Sequence, residues 1–183
     1  MIPRALPAAP FTLVLCALLL AQQVNLPAQS RTYVEFKPLD TVSITLGKIT
    51  PVEFTFRIKS GYHINSSQPT TPELIPTTLG FMPPPDLVIA KVEYPPGELT
   101  SFPFDPTQKL SVYSGAVIIK AVIIPQRHVP SGTYTVHGEL KYQACDNNAC
   151  YPPKKLPVQF TVKVAKTAKT TKPRPNRQSP HIH

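Results

Sequence analysis

The chain is poor in cysteine, with only three among its 183 residues. Cys16 lies in an N-terminal segment that we expect to be removed, so the mature protein would keep Cys145 and Cys150 and no odd thiol. Two cysteines are too few for a structural zinc site unless histidines complete it, and no histidines stand at the required ligand spacing. A cysteine protease would need a paired histidine and an acyl-binding site, and neither is indicated.

Long apolar runs are also scarce. Residues 11–21 form one, after a single charge at Arg4, and this run is too short to span a bilayer. It predicts a signal peptide over residues 1–28, with cleavage near Ala21 or Ala28, and an uncleaved anchor is the alternative. Because no other segment is apolar enough to span a membrane, we expect export to the periplasm or the extracellular space, where disulfides persist.

Helical periodicity is absent, and 24 prolines argue further against helices. Period-two alternation of apolar and polar residues instead predicts strands within residues 42–46, 51–59, 87–94, 110–124, 134–142 and 158–164. The run 110–124 is long enough for two strands, or for one strand bent around Ser114-Gly115. About six to eight short strands indicate an all-β fold of two packed sheets, with a barrel as the alternative.

Two connections between these strands are long for a compact β domain. Residues 66–86 are rich in proline and threonine, and residues 95–108 contain Phe102-Pro103-Phe104. Long ordered loops carry function more often than short turns do. We therefore expect these two segments to contribute to any binding surface.

Acidic residues are missing from the C-terminal segment, which explains most of the net charge of +9. Six Lys and Arg residues follow Val162 without one acid, whereas residues 31–162 hold twelve Lys and Arg against ten Asp and Glu. The nearly neutral body argues against a nucleic-acid surface. Residues 165–183 predict a disordered tail, which is either simply solvated or makes weak contact with an anionic membrane or cell-wall polymer.

The two remaining cysteines form the pattern C-x4-C, with Asp146-Asn147-Asn148 at the centre of the intervening turn. Closing so short a ring stabilises a fold by only about 2 kcal/mol, so the pair is poorly placed as a global staple. A ring at a loop tip is also open to attack by a thiolate from another protein. The spacing itself leaves two alternatives, a local structural staple and a redox centre.

The run Lys141-Tyr142-Gln143-Ala144-Cys145 … Cys150-Tyr151-Pro152-Pro153 resembles the active-site hairpin of the N-terminal periplasmic domain family of the thiol:disulfide interchange protein DsbD, also known as a disulfide bond corrector family. Gly61-Tyr62-His63-Ile64-Asn65 resembles the segment beside the redox centre, and residues 102–115 resemble the cap loop and the strand after it. The resemblance covers residues 33–164. The ring is one residue shorter here than in the best-known members.

The resemblance implies an immunoglobulin-like, two-sheet antiparallel sandwich that acts as a thiol:disulfide interchange (oxidoreductase) component. Such a domain takes electrons from a thioredoxin-like donor domain, passes them to oxidised exported client proteins, and needs no cofactor or metal. We expect the donor to be a separate protein. By the same resemblance Cys150 forms mixed disulfides with partners and Cys145 resolves them. The alternative is a non-catalytic, immunoglobulin-like protein-binding module with a structural hairpin disulfide.

The resemblance also implies a cap over the disulfide and a partner surface around it. Phe104, or alternatively Phe102, corresponds to the aromatic that shields the disulfide from stray thiols. The full set expected for the cap and the partner surface is Phe102, Phe104, His63, Asn65, Tyr142 and Tyr151. Ordinary packing is the alternative for the aromatic residues, as is a structural role for the histidine.

Overall fold

The computed structural model describes residues 32–165, and every regular element within them is a strand. None of this part of the chain forms a helix long and apolar enough to cross a membrane. The predicted signal peptide and the predicted tail after Ala165 lie outside the described residues. In chain order the strands are β1 (Val34–Phe36), β2 (Val42–Thr45), β3 (Thr50–Ile58), β4 (His63–Asn65), β5 (Thr78–Met82), β6 (Leu87–Glu93), β7 (Glu98–Phe102), β8 (Asp105–Tyr113), β9 (Ala116–Pro125), β10 (Gly132–Tyr142), β11 (Ala144–Cys145) and β12 (Lys154–Ala165).

The strands form three sheets of four strands each, in the orders β1-β3-β9-β6, β2-β12-β10-β5 and β11-β4-β8-β7. Paired strands run antiparallel, apart from β2, which lies parallel to β12. The prediction of an all-β, immunoglobulin-like sandwich is confirmed. The third sheet adds to the two sheets expected from the sequence.

The alternation that predicted the strands also determines which side chains form the core. On β3, Phe54 and Phe56 are fully buried, whereas Glu53 on the opposite face is exposed. Phe54 contacts Phe160 of β12 across the sandwich, with ring centroids 5.2 Å apart. Burying a side chain of this size contributes about 1.5–3 kcal/mol. The first two sheets therefore pack face to face on a shared aromatic core.

The two long connections are not free of regular structure, and this part of the prediction is wrong. Residues 66–86 contain β5, and residues 95–108 contain β7 and the beginning of β8. Each of β5 and β7 lies at the edge of its sheet and pairs with a single neighbour. Such strands are held by backbone pairing on one side only, so their sequences show little of the alternation on which a prediction depends.

The run 110–124 forms two strands, as one of the two alternatives predicted. β8 ends at Tyr113 and β9 begins at Ala116, with Ser114 and Gly115 between them. Gly115 has a φ of 65°, a left-handed conformation that glycine adopts without a steric penalty. The glycine therefore allows the reversal that returns β9 to the first sheet.

The third sheet places β4 between β11, which ends in Cys145, and β8. The chain reaches β4 through a tight turn in which the Tyr62 N–H donates to the Lys59 carbonyl at 3.1 Å. Gly61 in this turn has a φ of 80°. This reversal brings His63 alongside the cysteine hairpin immediately after β3 ends.

Candidate functional site

Cys145 and Cys150 are joined by a disulfide, and their Cα atoms are 4.0 Å apart. The two residues also form an antiparallel bridge. Two backbone hydrogen bonds extend the pairing on either side of it, from Asp146 N to Ala149 O at 3.0 Å and from Tyr151 N to Ala144 O at 2.8 Å. The ring is thus the closed end of a hairpin whose backbone is paired independently of the sulfur–sulfur bond.

Asp146 organises the turn inside the ring. Its Oδ1 accepts hydrogen bonds from the Asn148 N–H at 2.7 Å and the Ala149 N–H at 3.0 Å, and its Oδ2 accepts one from the Tyr151 hydroxyl at 2.5 Å. The Tyr151 bond, followed by the two backbone bonds, lowers the pKa of Asp146. The same bond raises the pKa of Tyr151 to about 12. At neutral pH the turn is therefore held by an ionised carboxylate that a neutral tyrosine hydroxyl caps.

The two cysteines differ in their access to solvent. Cys145 is fully buried, whereas Cys150 is half-buried. A thiolate that attacks a disulfide must approach one sulfur in line with the bond, so access selects which cysteine is attacked. Of the two cysteines, Cys150 is therefore the more exposed to such an approach.

His63 of β4 lies directly opposite Cys145 of β11 in the antiparallel register, and such residues share a face of the sheet with Cβ atoms about 4.5–5.5 Å apart. The buried imidazole stacks on Phe102 with ring centroids 3.8 Å apart. Burial lowers the pKa of His63 from 6.5 to about 4, and the negative charge of Asp146 opposes this only in part. His63 is therefore neutral at pH 7, and its Nε2 has no hydrogen-bond partner among residues 32–165.

Phe102 and Phe104 form an aromatic stack over His63, with their ring centroids 5.5 Å apart and their planes inclined by 9°. Phe102 is the inner ring, buried against Leu110 and Val112. Phe104 is 37% exposed and is the outer ring. The structure therefore brings Phe102 onto His63, whereas Phe104 lies against Phe102 at the surface.

Asn65 belongs to a polar network that ties β4 to the cysteine hairpin. Its Nδ2 donates to the Gln143 Oε1 at 3.0 Å and to the Ile75 carbonyl at 3.1 Å. Gln143 Oε1 also accepts from the Ile75 N–H at 3.2 Å, and its Nε2 donates to the Tyr151 carbonyl at 3.2 Å. Gln143 therefore links the segments before and after the ring, a role that sequence reasoning missed because Asn65 lies 78 residues away in the chain.

The two predicted tyrosines occupy different environments. Tyr142 is buried in the core, where burial raises its pKa. Tyr151 is half-buried and stacks on Tyr33, with ring centroids 5.0 Å apart. Tyr62 tilts against Tyr33 at 4.8 Å, so three tyrosines gather beside the ring. The strand pattern did not mark Tyr33 or Tyr62, because neither belongs to an alternating segment of the predicted strands.

A groove of about 700 Å³ opens beside the disulfide ring. Phe102 and His63 line one part of it, Asn147 of the ring lines another, and Arg57 and Lys59 contribute positive charge. The groove places partly apolar and partly cationic surface next to the disulfide ring.

Within residues 32–165, no group of three or more His, Cys, Asp or Glu side chains is arranged to hold a metal ion. His128 and His137 are exposed, and His63 is buried in the third sheet.

The family described as thiol:disulfide interchange protein DsbD, N-terminal, matches residues 30–162. In structure the chain is similar to the reduced N-terminal domain of DsbD from Neisseria meningitidis, at 19% identity and a TM-score of 0.41, over 61% of this chain and 76% of that chain. It is also similar to a complex of the DsbD and PilB N-terminal domains from the same organism (20% identity, TM-score 0.36, 60% of this chain and 73% of that chain).

A third similar structure is the seventh ScaB type I cohesin from Pseudobacteroides cellulosolvens, at 13% identity and a TM-score of 0.43, over 78% of this chain and 94% of that chain. No curated protein matches the sequence. The family match covers almost all of the strand-forming part of the chain, including the cysteine hairpin and the segment that carries His63.

Proposed function

Because this chain belongs to the family of DsbD N-terminal domains, we propose that it is an exported thiol–disulfide exchange domain that passes electrons from a thioredoxin-like donor to oxidised envelope proteins. The family predicted from the cysteine hairpin is confirmed by the match over residues 30–162. A disulfide between the two cysteines of the pair is what such a domain contains in its oxidised state.

The observation that carries this proposal is the unequal burial of the two sulfur-bearing residues. Cys145 is fully buried and Cys150 is half-buried, and Asn147 of the same ring lines a groove of about 700 Å³. An exchange centre needs one cysteine that partners can reach and a second that reacts only internally. A disulfide that serves only as a structural staple does not require its two cysteines to differ in burial.

In the proposed reaction, the reduced domain approaches an oxidised client. The Cys150 thiolate attacks one sulfur of the client disulfide, forms a mixed disulfide and releases the other client sulfur as a thiolate that takes up a proton. Cys145 then loses its proton, attacks the Cys150 sulfur and expels the second client thiolate. The client disulfide gains two electrons, and the domain's two thiols lose two electrons as the ring closes.

The dithiol of the donor reverses these steps and returns the ring to two thiols. It attacks Cys150, and the departing Cys145 takes up a proton. Neither direction of the proposed exchange reaction uses a metal or an organic cofactor. We propose that the donor is a thioredoxin-like domain and that both halves of the cycle take place in the periplasm.

The aromatic stack serves as the cap in this proposal. Phe102, the inner ring, covers His63, and Phe104 forms the outer layer that a partner would meet first. Tyr151, which stacks on Tyr33, and Asn65, which donates to Gln143, hold the hairpin in position. Weak contact of the basic tail with an anionic surface remains a separate proposal that concerns residues outside the described part of the chain.

The direct experiment is to trap the mixed disulfide. With Cys145→Ser, Cys150 can still attack a client but the adduct cannot resolve, so we expect covalent adducts in the exported fraction that disappear on reduction. The matched control is Cys150→Ser, which leaves only the buried cysteine and should trap few or none.

The alternative of a binding module with a fixed staple makes the opposite prediction. A well-folded Cys145→Ser protein without adducts, together with a wild-type reduction potential below about −300 mV, would establish the staple and rule out the exchange function.

A further inference from the structure

We propose that the Nε2 of His63 accepts a hydrogen bond from the Cys145 thiol in the reduced state, and that this bond biases the pair toward the dithiol. The inference rests on the proposed function and deepens it, because it assigns a positioning residue that adjusts the redox equilibrium. It depends on a buried acceptor, on the register of two strands and on the change in hydrogen-bonding capacity when the disulfide opens.

The first observation is that His63 Nε2 is buried and has no hydrogen-bond partner among residues 32–165. The side chain as a whole is 4% exposed. Most buried polar groups in proteins are hydrogen-bonded, and leaving one unsatisfied is unfavourable. The oxidised structure therefore carries a buried ring nitrogen without a partner, and in the tautomer with its proton on Nδ1 this nitrogen is an acceptor that lacks a donor.

The second observation is the position of that acceptor. His63 and Cys145 are direct partners in the antiparallel pairing of β4 with β11, so their side chains lie on the same face. Phe102 stacks on the imidazole and fixes the plane of the ring. Of the ionisable groups near His63, Asp146 acts on it electrostatically, and Arg57 and Lys59 line the same groove.

The third step is chemical. A disulfide sulfur has no hydrogen to donate, but a thiol does. When a donor dithiol opens the ring, the cysteine pair takes up two electrons and two protons, and the donor dithiol becomes a disulfide. One of the two protons then resides on the sulfur of Cys145. The lowered pKa of about 4 keeps the imidazole neutral at pH 7, and in the tautomer with its proton on Nδ1 that S–H can donate to Nε2. The penalty present in the oxidised state is thereby relieved in the reduced state.

The test is the equilibrium of the full-length mature protein with glutathione and dithiothreitol redox buffers. His63→Phe keeps an aromatic ring against Phe102 and removes both nitrogens. We expect the equilibrium constant to shift about tenfold toward the disulfide, which corresponds to a potential about 30 mV more negative. His63→Gln retains an acceptor and should stay within about threefold of the wild type.

Two further measurements make the test specific. His137→Phe, at an exposed position on β10, is the matched control and should leave the potential unchanged. In the wild type, the ¹⁵N resonance of His63 Nε2 should change on reduction from that of a free acceptor to that of a hydrogen-bonded one. The resonance tests the inference even if His63→Phe does not fold.

Equal potentials for the wild type and His63→Phe, or a proton resident on Nε2 in the reduced protein, would overturn the inference while leaving the exchange function intact. If the ring opens in dithiothreitol with the expected shift but Cys145→Ser traps no client, the proposed function fails and the hydrogen bond stands. A ring that no dithiol can open would refute both.

Discussion

The Tyr151 hydroxyl donates a 2.5 Å hydrogen bond to the Asp146 carboxylate, and so joins the residue after Cys150 to the residue after Cys145. The bond runs alongside the disulfide and spans the same turn. Because the bond does not involve sulfur, it can hold the hairpin closed when the disulfide is open. The shape of the turn is therefore expected to persist through the redox cycle.

Tyr151→Phe removes this bond and tests its effect on the carboxylate. Because the Tyr151 hydroxyl is the largest cause of the lowered pKa of Asp146, we expect that pKa to rise toward its ordinary value. A lowered pKa in the folded protein means that the carboxylate stabilises the turn at neutral pH and that this stabilisation is lost as pH falls through the pKa. In Tyr151→Phe the loss should begin at a higher pH.

An NMR titration of the Asp146 carboxyl carbon measures this shift. The control is Tyr134→Phe, whose hydroxyl bonds to the Pro130 carbonyl on another part of the molecule and not to the ring. An Asp146 pKa that is the same in Tyr151→Phe and in the wild type would contradict the assignment.

His63 makes the stability of the domain dependent on pH. Its pKa is about 4 in the folded protein against 6.5 as the ordinary value, so the unfolded chain binds a proton between these values and the folded protein does not. The contribution of His63 to the free energy of unfolding is present in full above pH 6.5. It is lost as pH falls toward 4, by about 3 kcal/mol in all.

Urea unfolding at pH 7 and at pH 4.5 measures this dependence. His63→Phe should abolish the part of the pH dependence that comes from His63, and His137→Phe should retain it. The same pH dependence of the free energy of unfolding in the wild type and in His63→Phe would contradict the lowered pKa of His63.

Gln143→Ala removes the link between Asn65 and the hairpin. The Asn65 Nδ2 loses an acceptor in a buried site, and an unsatisfied buried donor costs about 1–3 kcal/mol. We expect a loss of stability in this range, accompanied by faster hydrogen exchange at the Ile75 N–H, which loses the same acceptor. Gln159→Ala, on the exposed face of β12, is the control and should change neither quantity.

The two phenylalanines of the cap should respond differently to truncation. Phe102→Ala removes a buried ring packed on His63 and should destabilise the domain by about 3 kcal/mol. It should also speed alkylation of the reduced cysteines by iodoacetamide, because it opens the groove beside them. Phe104→Ala removes the exposed outer ring and should affect stability much less.

Alkylation rates of both variants, measured below their unfolding midpoints, separate the two layers of the cap. Equal rates for the wild type and for both variants would exclude the stack as a shield.

The sequence was sufficient to predict the longer strands of the sandwich core but not β1 or β5, because burial on one face of a strand produces alternation only over several residues. β3 and β12 are the clearest cases, and both contribute to the core as expected. β4 and β11, which carry His63 and Cys145, are only three and two residues long. Strands of that length contain too few residues for any periodicity, so their pairing is visible only in the structure.

Part of the site was predictable because it consists of residues close together in the chain. The cysteine pair and the aspartate in its turn are local features, and short polar residues at turns are expected to bond to nearby backbone. The stacking of His63 on Phe102 and the bond from Asn65 to Gln143 join residues that are distant in the chain. Whether such residues meet depends on the order of strands in the third sheet, which no local pattern encodes.

The order of strands in the third sheet also affects how the cap of the domain could change in evolution. Within the third sheet, the short strand β4 lies between the hairpin of β7 and β8 and the cysteine strand β11. A different β7–β8 segment that kept Phe102 against His63 could therefore alter which proteins bind at the cap without altering the sulfur chemistry. Recognition and electron transfer could then evolve at separate rates within one small domain.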